Sequence, residues 1–387
     1  MNNLDIIITG LQPWHSNIGG NSKNIAEEFS KTNRVIFINP PLDRKTKYLN
    51  NETKENNGLI KLKNNLWVYS PPTILESVNW MPRILFRFFN RKNNLRFSKD
   101  IKKALELLNF ESFIMLVDSD MFRSKHLASL LKPKLFIYYT RDNLMTVPYW
   151  KKHGGKMEPE IMNTADFVIA NSPYLSGLSK KHNENSFYVG QGCDLTHFKH
   201  KNITEPNDLA KIKGLKIGYV GLLTSRRLNI ELIEGLAKLK SEWKIVLIGP
   251  QEDCFKKSNL HKINNIHFLG SKDMSLLPSY IQFFDICINP QIINELTIGN
   301  YPRKIDEYLA MGKPTVATET PTMEIFKDHV YLGKTSLDYV NCIELALKEN
   351  SDEKIKNRIQ FAKSHTWENN VTEIKKHITI FYDRNNN

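Results

Sequence analysis

The chain alternates short, uniformly apolar runs with longer segments in which apolar residues recur every three or four positions. Runs of the first kind are typical of strands covered on both faces in a parallel sheet, and segments of the second kind are typical of amphipathic helices. Leu228, Leu232, Leu236 and Leu239, for example, would give one helix an apolar face. We predict strands at residues 5–10, 34–39, 113–117, 135–139, 166–171, 216–221, 244–249, 265–270, 285–290 and 314–318.

The alternation pauses once, at the polar stretch from His200 to Gly214, and then restarts. This pattern predicts two doubly wound α/β domains joined by a linker. We expect a Rossmann-like N-terminal domain at residues 1–200, a Rossmann-like C-terminal domain at 201–370 and a final segment at 371–387. Ligands of such sheets bind at the carboxyl ends of the strands, so the active site is expected in a cleft where the two domains face each other.

Composition supports a globular protein, since 41% of the 387 residues are hydrophobic and 25% are charged. Disorder is expected only at the Asn-rich end, 385–387. No apolar run approaches the roughly 18 residues that a membrane span requires, and the N-terminus has no basic leader. The four cysteines are far apart and form no CxxC pair, which predicts a cytoplasmic location with reduced thiols and no structural zinc.

The positive charge lies mainly in the first half of the chain. Residues 1–200 contain 28 Lys and Arg against 18 Asp and Glu, a net +10, whereas residues 201–387 contain 26 against 23, a net +3. A diffuse charge of this kind can serve solubility alone. Its concentration in one half points instead to an anionic partner there.

One basic and aromatic segment, SVNWMPRILFRFFNRKNNLRFSKDIKK (77–103), accounts for part of that charge. It predicts a helix lying on an anionic membrane surface, in which case Trp80, Arg83 and Arg87 would face the membrane or an acceptor. The protein would then be peripheral on the inner membrane face. The alternative is a helix that packs its aromatic side chains on the first domain and exposes its arginines to water.

Two loops that follow strands contain residues suited to binding phosphate. Gly19 and Gly20 precede a predicted helix that Asn21 or Ser22 could cap, and paired glycines with helix-start amides favour anions. In the second domain, Gly221 ends a strand and Arg226 with Arg227 precedes a helix. Guanidinium groups match diphosphate geometry. The alternative for the glycine pair is an ordinary tight turn, and the alternative for the two arginines is a solvated surface pair.

The segment DICINPQIINELTIGNYPRKIDEYLAMGKPTVAT (285–318) is the most specific in the chain. A strand is followed by a loop with Asn294 and Thr297, and then by a helix with Lys304 and Glu307 near its start. Gly312 is expected to end that helix. A carboxylate in this position can accept hydrogen bonds from both ribose hydroxyls, while the lysine neutralises a phosphate.

With these motifs in place, the chain resembles the GT-B nucleotide-sugar glycosyltransferases called group 1, family 4-like, and especially the bacterial branch that assembles cell-surface polysaccharides. The resemblance covers nearly the whole chain. Its remaining signatures are YYTRDN (138–143), DFVIANSPYL (166–175), VGQGCDLTHF (189–198) and Trp367, which precedes a final helix expected to cross back to the first domain.

The resemblance implies a nucleotide diphosphate sugar as co-substrate, no cofactor or metal, and transfer to a glycan or lipid-linked acceptor with retained anomeric configuration. By position, Glu307 would bind the ribose, and Lys304, Arg226 and Arg227 would bind the diphosphate. Gly19, Gly20, Gly221, Asn294 and Thr297 would complete the donor site. Two positions depart from the family pattern: Gly299 replaces a second glutamate, for which Glu295 is displaced by four residues, and Leu222 replaces an arginine.

The catalytic groups are expected to be Arg227 and Lys304, which would stabilise the leaving diphosphate, and Asp142, which could deprotonate the acceptor. Asp142 could equally be a turn residue that caps local amides. His15 and His153, in predicted loops, are further candidates. Asp118-Ser119-Asp120 resembles the DxD metal motif of GT-A transferases, but it follows a strand of a two-domain chain, so we expect no metal and place Asp120 on the acceptor side.

Two other functions fit parts of the sequence. A GT-B-like sugar-nucleotide epimerase would use the same donor site without an acceptor. A basic nucleic-acid-binding protein would account for the net charge of +13. The chain lacks a recognised module for that role, and its aromatic residues lie in predicted strands and helices, so we expect no nucleic-acid partner.

Overall fold

A computed structural model describes residues 3–16, 20–49, 58–199 and 204–384. Gly19, the start of the predicted linker at His200 and the Asn-rich end lie outside the described residues. The chain divides into two compact units, Met1–Gly190 with Trp367–Asn387, and Gln191–Thr366. The divisions fall at 190 and 366 rather than at 200 and 370. Cys193 N–H donates to the His365 carbonyl within the second unit, whereas the Asn370 amide donates to the Val189 and Gly190 carbonyls within the first.

The first unit is built on an eight-stranded sheet with the order β3-β4-β2-β1-β5-β6-β7-β8. Its strands are β1 (Asp5–Gly10), β2 (Arg34–Ile38), β3 (Gly58–Lys63), β4 (Leu66–Ser70), β5 (Phe113–Asp118), β6 (Leu135–Thr140), β7 (Phe167–Ala170) and β8 (Ser186–Tyr188). Only the pair β3–β4 is antiparallel. Its helices are α1 (Asn21–Phe29), α2 (Arg44–Leu49), α3 (Arg83–Leu108), α4 (Leu127–Leu131), α5 (Pro148–Thr164) and α6 (Pro173–Ser179).

The second unit is a six-stranded parallel sheet with the order β11-β10-β9-β12-β13-β14. Its strands are β9 (Lys216–Val220), β10 (Lys244–Ile248), β11 (Ile266–Gly270), β12 (Ile286–Asn289), β13 (Thr315–Thr318) and β14 (Tyr331–Gly333). Its helices are α7 (Asn207–Ala210), α8 (Ile230–Leu239), α9 (Asp253–Lys256), α10 (Leu277–Gln282), α11 (Arg303–Ala310), α12 (Ser336–Lys348) and α13 (Asp352–Ser364).

Each sheet is covered on both faces, which explains why its strands are uniformly apolar. In the first unit, α3, α4 and α5 pack on one face, with Phe86, Phe97, Leu127 and Ile161 in the core. The helix α14 (Trp367–Arg384) shares the other face with α1, through Val371, Ile374 and Ile378 among others. None of the helices within the described ranges is long and apolar enough to cross a membrane.

The ten predicted strands are all present, and the prediction of two doubly wound α/β units is confirmed. The strands β3, β4, β8 and β14 were not predicted from the sequence. The edge strand β3 is mostly exposed, and β8 and β14 have only three residues each, so none of these three has a long apolar run. Leu239 was wrongly placed on the buried face of α8. It is the last residue of that helix and is 53% exposed.

Candidate functional site

The predicted donor residues of the second unit cluster where its strand order reverses. Counted from β9, the sheet has the order 3-2-1-4-5-6, so the chain leaves β9 and β12 in opposite directions. Adjacent loops at the carboxyl ends of such strands leave a crevice that commonly binds a ligand. The loop after β9 contains Gly221, Arg226 and Arg227. The loop after β12 contains Asn294 and Thr297 and leads into α11.

Hydrogen bonds join these two loops directly. Asn229 N–H donates to the Pro290 carbonyl at 2.9 Å, and Ile292 N–H donates to the Arg227 carbonyl at 3.0 Å. The Asn294 side-chain amide donates to the Arg226 carbonyl at 3.0 Å, so the main chain of both arginines is held by the neighbouring loop. The Asn294 Oδ1 atom also accepts from Thr297 N–H at 3.0 Å, which closes its own turn.

Lys304, in the first turn of α11, extends over Gly221. A Cβ atom added at Gly221 would lie 1.9 Å from the lysine Cε and 2.4 Å from Nζ. The Nζ atom lies 5.7 Å from the centre of the Tyr219 ring, a cation–π contact. The lysine ammonium is therefore held at the carboxyl end of β9, beside the start of a helix, where the electrostatic potential favours an anion.

Glu307 lies one turn further along α11 and is half-buried. Burial raises the pKa of its carboxyl group, an effect that the positive charges of Lys304 and Arg303 oppose. Within the part of the chain that the structure describes, this carboxylate makes no hydrogen bond and no salt bridge. It therefore has acceptor capacity that a ligand could use.

Asp306, which directly precedes Glu307, belongs to a buried polar cluster that was not predicted from the sequence. Its Oδ1 atom lies 2.7 Å from Nδ1 of His365, and its Oδ2 atom accepts from the Tyr301 hydroxyl at 2.8 Å. Burial raises the pKa of Asp306, whereas the bond to His365 lowers it. This cluster fastens the first turn of α11 to the chain beyond α13, and so holds Lys304 and Glu307 in place.

The departures from the family pattern remain visible in the structure. Glu295 and Leu222 are both exposed, and Gly299 is buried. Glu295 therefore does not occupy the buried position of Gly299, where a second glutamate would be expected.

The predicted residues of the first unit are spread over several loops. Gly20 is buried and precedes α1, and Asp142 lies half-buried after β6. Asp120 follows β5, where its Oδ2 accepts from Nε of Arg123 at 2.7 Å. Asp118 is fully buried and accepts from Nε of Arg141 at 2.9 Å. Each carboxylate of the DxD-like motif is thus bound by an arginine.

A cavity of about 560 Å³ lies in the first unit, lined by the segments that follow β2, β4 and β5 and by parts of α3 and α5. Its lining includes Asp120, Arg123, Phe122, Tyr149, Trp150 and Trp80. Aromatic rings beside charged groups suit a polar ligand that also has apolar faces.

Trp80 precedes α3, and Arg83 and Arg87 lie on its exposed first turns. His15 is exposed. The placement of His153 in a loop was wrong, because this residue lies within α5. Its ring stacks on Phe86 with centroids 3.8 Å apart, and Nε2 bonds to the Asn79 carbonyl.

Comparison with known proteins agrees with this geometry. Residues 214–348, which include the whole β9–β12 site, match the family described as glycosyl transferases group 1. A Bacillus subtilis protein provisionally named teichuronic acid biosynthesis glycosyltransferase TuaH is 27% identical over 257 residues. That match covers 62% of this chain and 63% of TuaH, which is less than two thirds of the relative's length.

Solved structures with the same fold extend over almost the whole chain. The sucrose-phosphate synthase of Thermosynechococcus elongatus has a TM-score of 0.69 and 14% identity, covering 99% of this chain and 100% of that one. Anabaena HepE, solved in complex with UDP, has a TM-score of 0.66 and 16% identity, covering 97% of this chain and 100% of that one. By sequence, residues 214–348 match the group 1 glycosyl transferases, and the whole chain has the GT-B fold of these solved structures.

Proposed function

We propose that this protein transfers a sugar from a nucleoside diphosphate sugar, held by its second unit, to a glycan or lipid-linked acceptor. The observation that carries the proposal is the pairing of Lys304, which lies over Gly221, with the unbonded carboxylate of Glu307. One cation and one acceptor carboxylate, about one helical turn apart, match the diphosphate and the ribose of such a donor.

The diphosphate would lie at the start of α11. Lys304 there supplies one positive charge, and Arg226 and Arg227 supply two more from the loop that Asn294 and Ile292 hold. When the bond between the sugar and the diphosphate breaks, its electron pair goes to the diphosphate oxygen. Fixed cations around that oxygen stabilise the charge as it develops, which is the largest contribution that such a site can make.

The ribose would bind Glu307. Each of its two hydroxyls can donate to one carboxylate oxygen, and these bonds would supply the partners that the carboxylate lacks in the described structure. Hydrogen bonds to a charged acceptor contribute about 1.5–3 kcal/mol each in favourable cases. Because burial raises the pKa of Glu307, the charged form that accepts both bonds forms at a higher pH than in an exposed glutamate.

The acceptor would bind to the first unit. Asp142 follows β6 in the first unit and would take the proton from the acceptor hydroxyl as the new glycosidic bond forms. We further propose that the transfer retains configuration and uses no metal, as the family resemblance implies. The name of the relative TuaH supports a role in building a cell-surface polysaccharide, and such synthesis would take place in the cytoplasm.

Calorimetric binding of UDP, GDP and ADP to the full chain identifies the base and then tests the site. With the nucleotide that binds, Lys304→Met should raise Kd by about tenfold or more, because one charge-assisted contact to phosphate is lost. Glu307→Gln should also weaken the nucleotide, but should leave the affinity of its 2′,3′-dideoxy analogue unchanged. Lys304→Met should weaken both ligands equally.

Lys327→Met is the matched control, since among the described residues this exposed lysine forms a salt bridge only with the exposed Glu324. It should bind both ligands like the wild type. Wild-type affinity in Lys304→Met, or an equal loss of both ligands in Glu307→Gln, would contradict the assignment. Incubation of the donor without acceptor separates a transferase from an epimerase, because only the latter converts the sugar.

A further inference from the structure

The start of α3 displays a line of large apolar side chains to solvent. Trp80 is 71% exposed, Ile84 is 83% exposed and Phe88 is 56% exposed, and these three follow one another at intervals of four positions. Ile84 and Phe88, one turn apart, lie along one side of α3, and Trp80 lies in the turn that precedes the helix. Leu85 and Leu95 extend the exposed area. We call Trp80, Ile84, Leu85, Phe88 and Leu95 the apolar stripe.

The stripe is held rigidly on the first unit. The opposite side of α3 places Phe86, Phe97 and Ile101 in the core. The chain before the helix is fixed as well, because Lys152 Nζ donates to the Trp80 carbonyl at 2.7 Å and the Asn79 side chain donates to the Tyr149 carbonyl at 3.0 Å. The exposure of Trp80 is therefore imposed by the fold around its backbone.

Positive charges flank the stripe. Residues 77–99 contain six Lys and Arg and no Asp or Glu. Arg83, Arg87 and Arg91 follow one another at intervals of four along one side, and Lys92 and Arg96 lie on the other. Arg87 pairs with Glu160, and Arg96 lies near Glu76. In the described part of the chain, Arg83, Arg91 and Lys99 form no salt bridge, so their charges are available.

We propose that the apolar stripe and its flanking cations dock the first unit on an anionic membrane surface. An amphipathic helix lying in the interface inserts its apolar side into the acyl boundary and directs its basic residues to lipid phosphates. Each Lys or Arg near such a surface contributes about 1 kcal/mol. Lys92 Nζ lies 4.4 Å from the centre of the Phe88 ring, a cation–π contact that places a positive charge directly beside the apolar stripe.

The charge pattern favours a membrane over a protein partner. Positively charged residues line both sides of the apolar stripe, and residues 77–99 contain no acidic residue, a pattern that complements the anionic headgroups of a membrane. A second copy of the same surface would bring like charges together, which is unfavourable.

Docking on a membrane would also restrict the class of acceptor that the first unit can bind, an inference that rests on the proposed function. Trp80, the first residue of the stripe, also lines the 560 Å³ cavity of the first unit. It lines a second groove too, in which Lys92 and Arg96 of α3 face Arg44 and Lys45. A ligand with its polar head in the cavity would thus have its other end beside the stripe. This arrangement suits an acceptor carried on a lipid.

Flotation of the full chain with vesicles tests the docking. Vesicles of phosphatidylcholine and phosphatidylglycerol in equal parts should carry the protein up the gradient, and binding should weaken as salt rises, because salt screens exposed charges. Pure phosphatidylcholine vesicles should carry much less. The triple variant Trp80→Ser, Ile84→Ser, Phe88→Ser should lower the partition by about tenfold or more. The pair Arg83→Gln, Arg91→Gln should reduce binding only to the anionic vesicles.

The control variants lie further along the same helix. Leu107→Ser removes another exposed apolar side chain, and Lys102→Gln with Lys103→Gln removes two exposed charges, all outside the stripe. These variants should bind vesicles like the wild type. Absence of vesicle binding, equal binding by the triple variant, or a wild-type dimer that the triple variant abolishes would overturn the proposal. The triple variant should keep its nucleotide affinity, so a failure here is distinguishable from a failure of the donor site.

Discussion

The side chain of Lys304 crosses the backbone of Gly221 at a distance that leaves no room for a Cβ atom, which would lie 1.9 Å from the lysine Cε. Gly221 also has φ of +145°, a conformation that other residues rarely adopt. Glycine at this position is therefore required twice, by its own conformation and by the path of the lysine. The strand end and the helix start act as one unit in placing the ammonium group.

Replacement of this glycine tests both requirements, through nucleotide affinity and through stability. Gly221→Ala should raise Kd for the nucleoside diphosphate by about tenfold or more, because Lys304 must move away. It should also lower Tm by several degrees, since backbone strain of this kind costs about 1–3 kcal/mol. Calorimetry and thermal unfolding measure the two effects. Gly177→Ala in α6, where nothing lies within 4 Å of the added methyl group, should change neither quantity much.

Glu158 should make the stability of the first unit depend on pH. Burial raises the pKa of this glutamate to about 7 from 4.5, although its hydrogen bond from the Tyr138 hydroxyl lowers it. A folded-state pKa above the unfolded value means that the stabilisation is complete below about pH 4.5 and is lost as pH rises through 7. Glu158→Gln should therefore gain stability relative to the wild type between pH 5 and pH 8.

The size of that gain is about 3 kcal/mol at most, from the difference between the two pKa values. Urea unfolding of both proteins at the two pH values measures it. The Gln carbonyl can still accept from Tyr138, so the variant should fold. A difference between the two proteins that does not change with pH would contradict the prediction.

The buried pair of Asp118 and Arg141 should show strong coupling. Arg141→Met leaves the Asp118 carboxylate buried without its cation, a change that typically costs about 3–5 kcal/mol. Adding Asp118→Asn removes the charge and should restore much of the lost stability. A double-mutant cycle of unfolding free energies measures the coupling, and additive losses would show that the pair does not stabilise the unit.

Loss of the Tyr301 hydroxyl should weaken the second unit. Tyr301→Phe removes the donor to the buried Asp306 and should lower the free energy of unfolding by about 1–3 kcal/mol. Because Asp306 adjoins Glu307, nucleotide affinity should fall as well. Tyr174→Phe is a suitable control, since this hydroxyl makes no hydrogen bond among the described residues. Equal stability of the two variants would argue against a structural role for the cluster.

The parts of the molecule that could be predicted from sequence are those whose whole pattern lies within one short, continuous stretch of chain. Strands covered on both faces are continuous apolar runs, so all ten predicted strands were found. The segment from Asn294 to Glu307 likewise contains its own loop, helix start, cation and carboxylate. Contacts between residues that are far apart in the sequence produce no such local pattern.

The cluster around Asp306 depends on contacts between residues that are far apart in the sequence. His365 lies 59 positions from Asp306 and is preceded by a helix that begins beyond the recognisable motif. The bond between Tyr138 and Glu158 depends in the same way on how α5 packs against β6. His153, expected in a loop, lies within α5, and its ring packs on Phe86, which is 67 positions earlier in the chain.

The position of α14 has a consequence for biosynthesis. The face of the first sheet that contains Ile137, Phe167 and Ile169 is covered by side chains from residues 367–381, which are translated after the whole of the second unit. The second unit, by contrast, has emerged before α14 is made, and domains generally fold as units during synthesis. The core of the first unit is therefore completed only after the second unit has been made, and until then its uncovered apolar face is the surface that a chaperone would meet on the nascent chain.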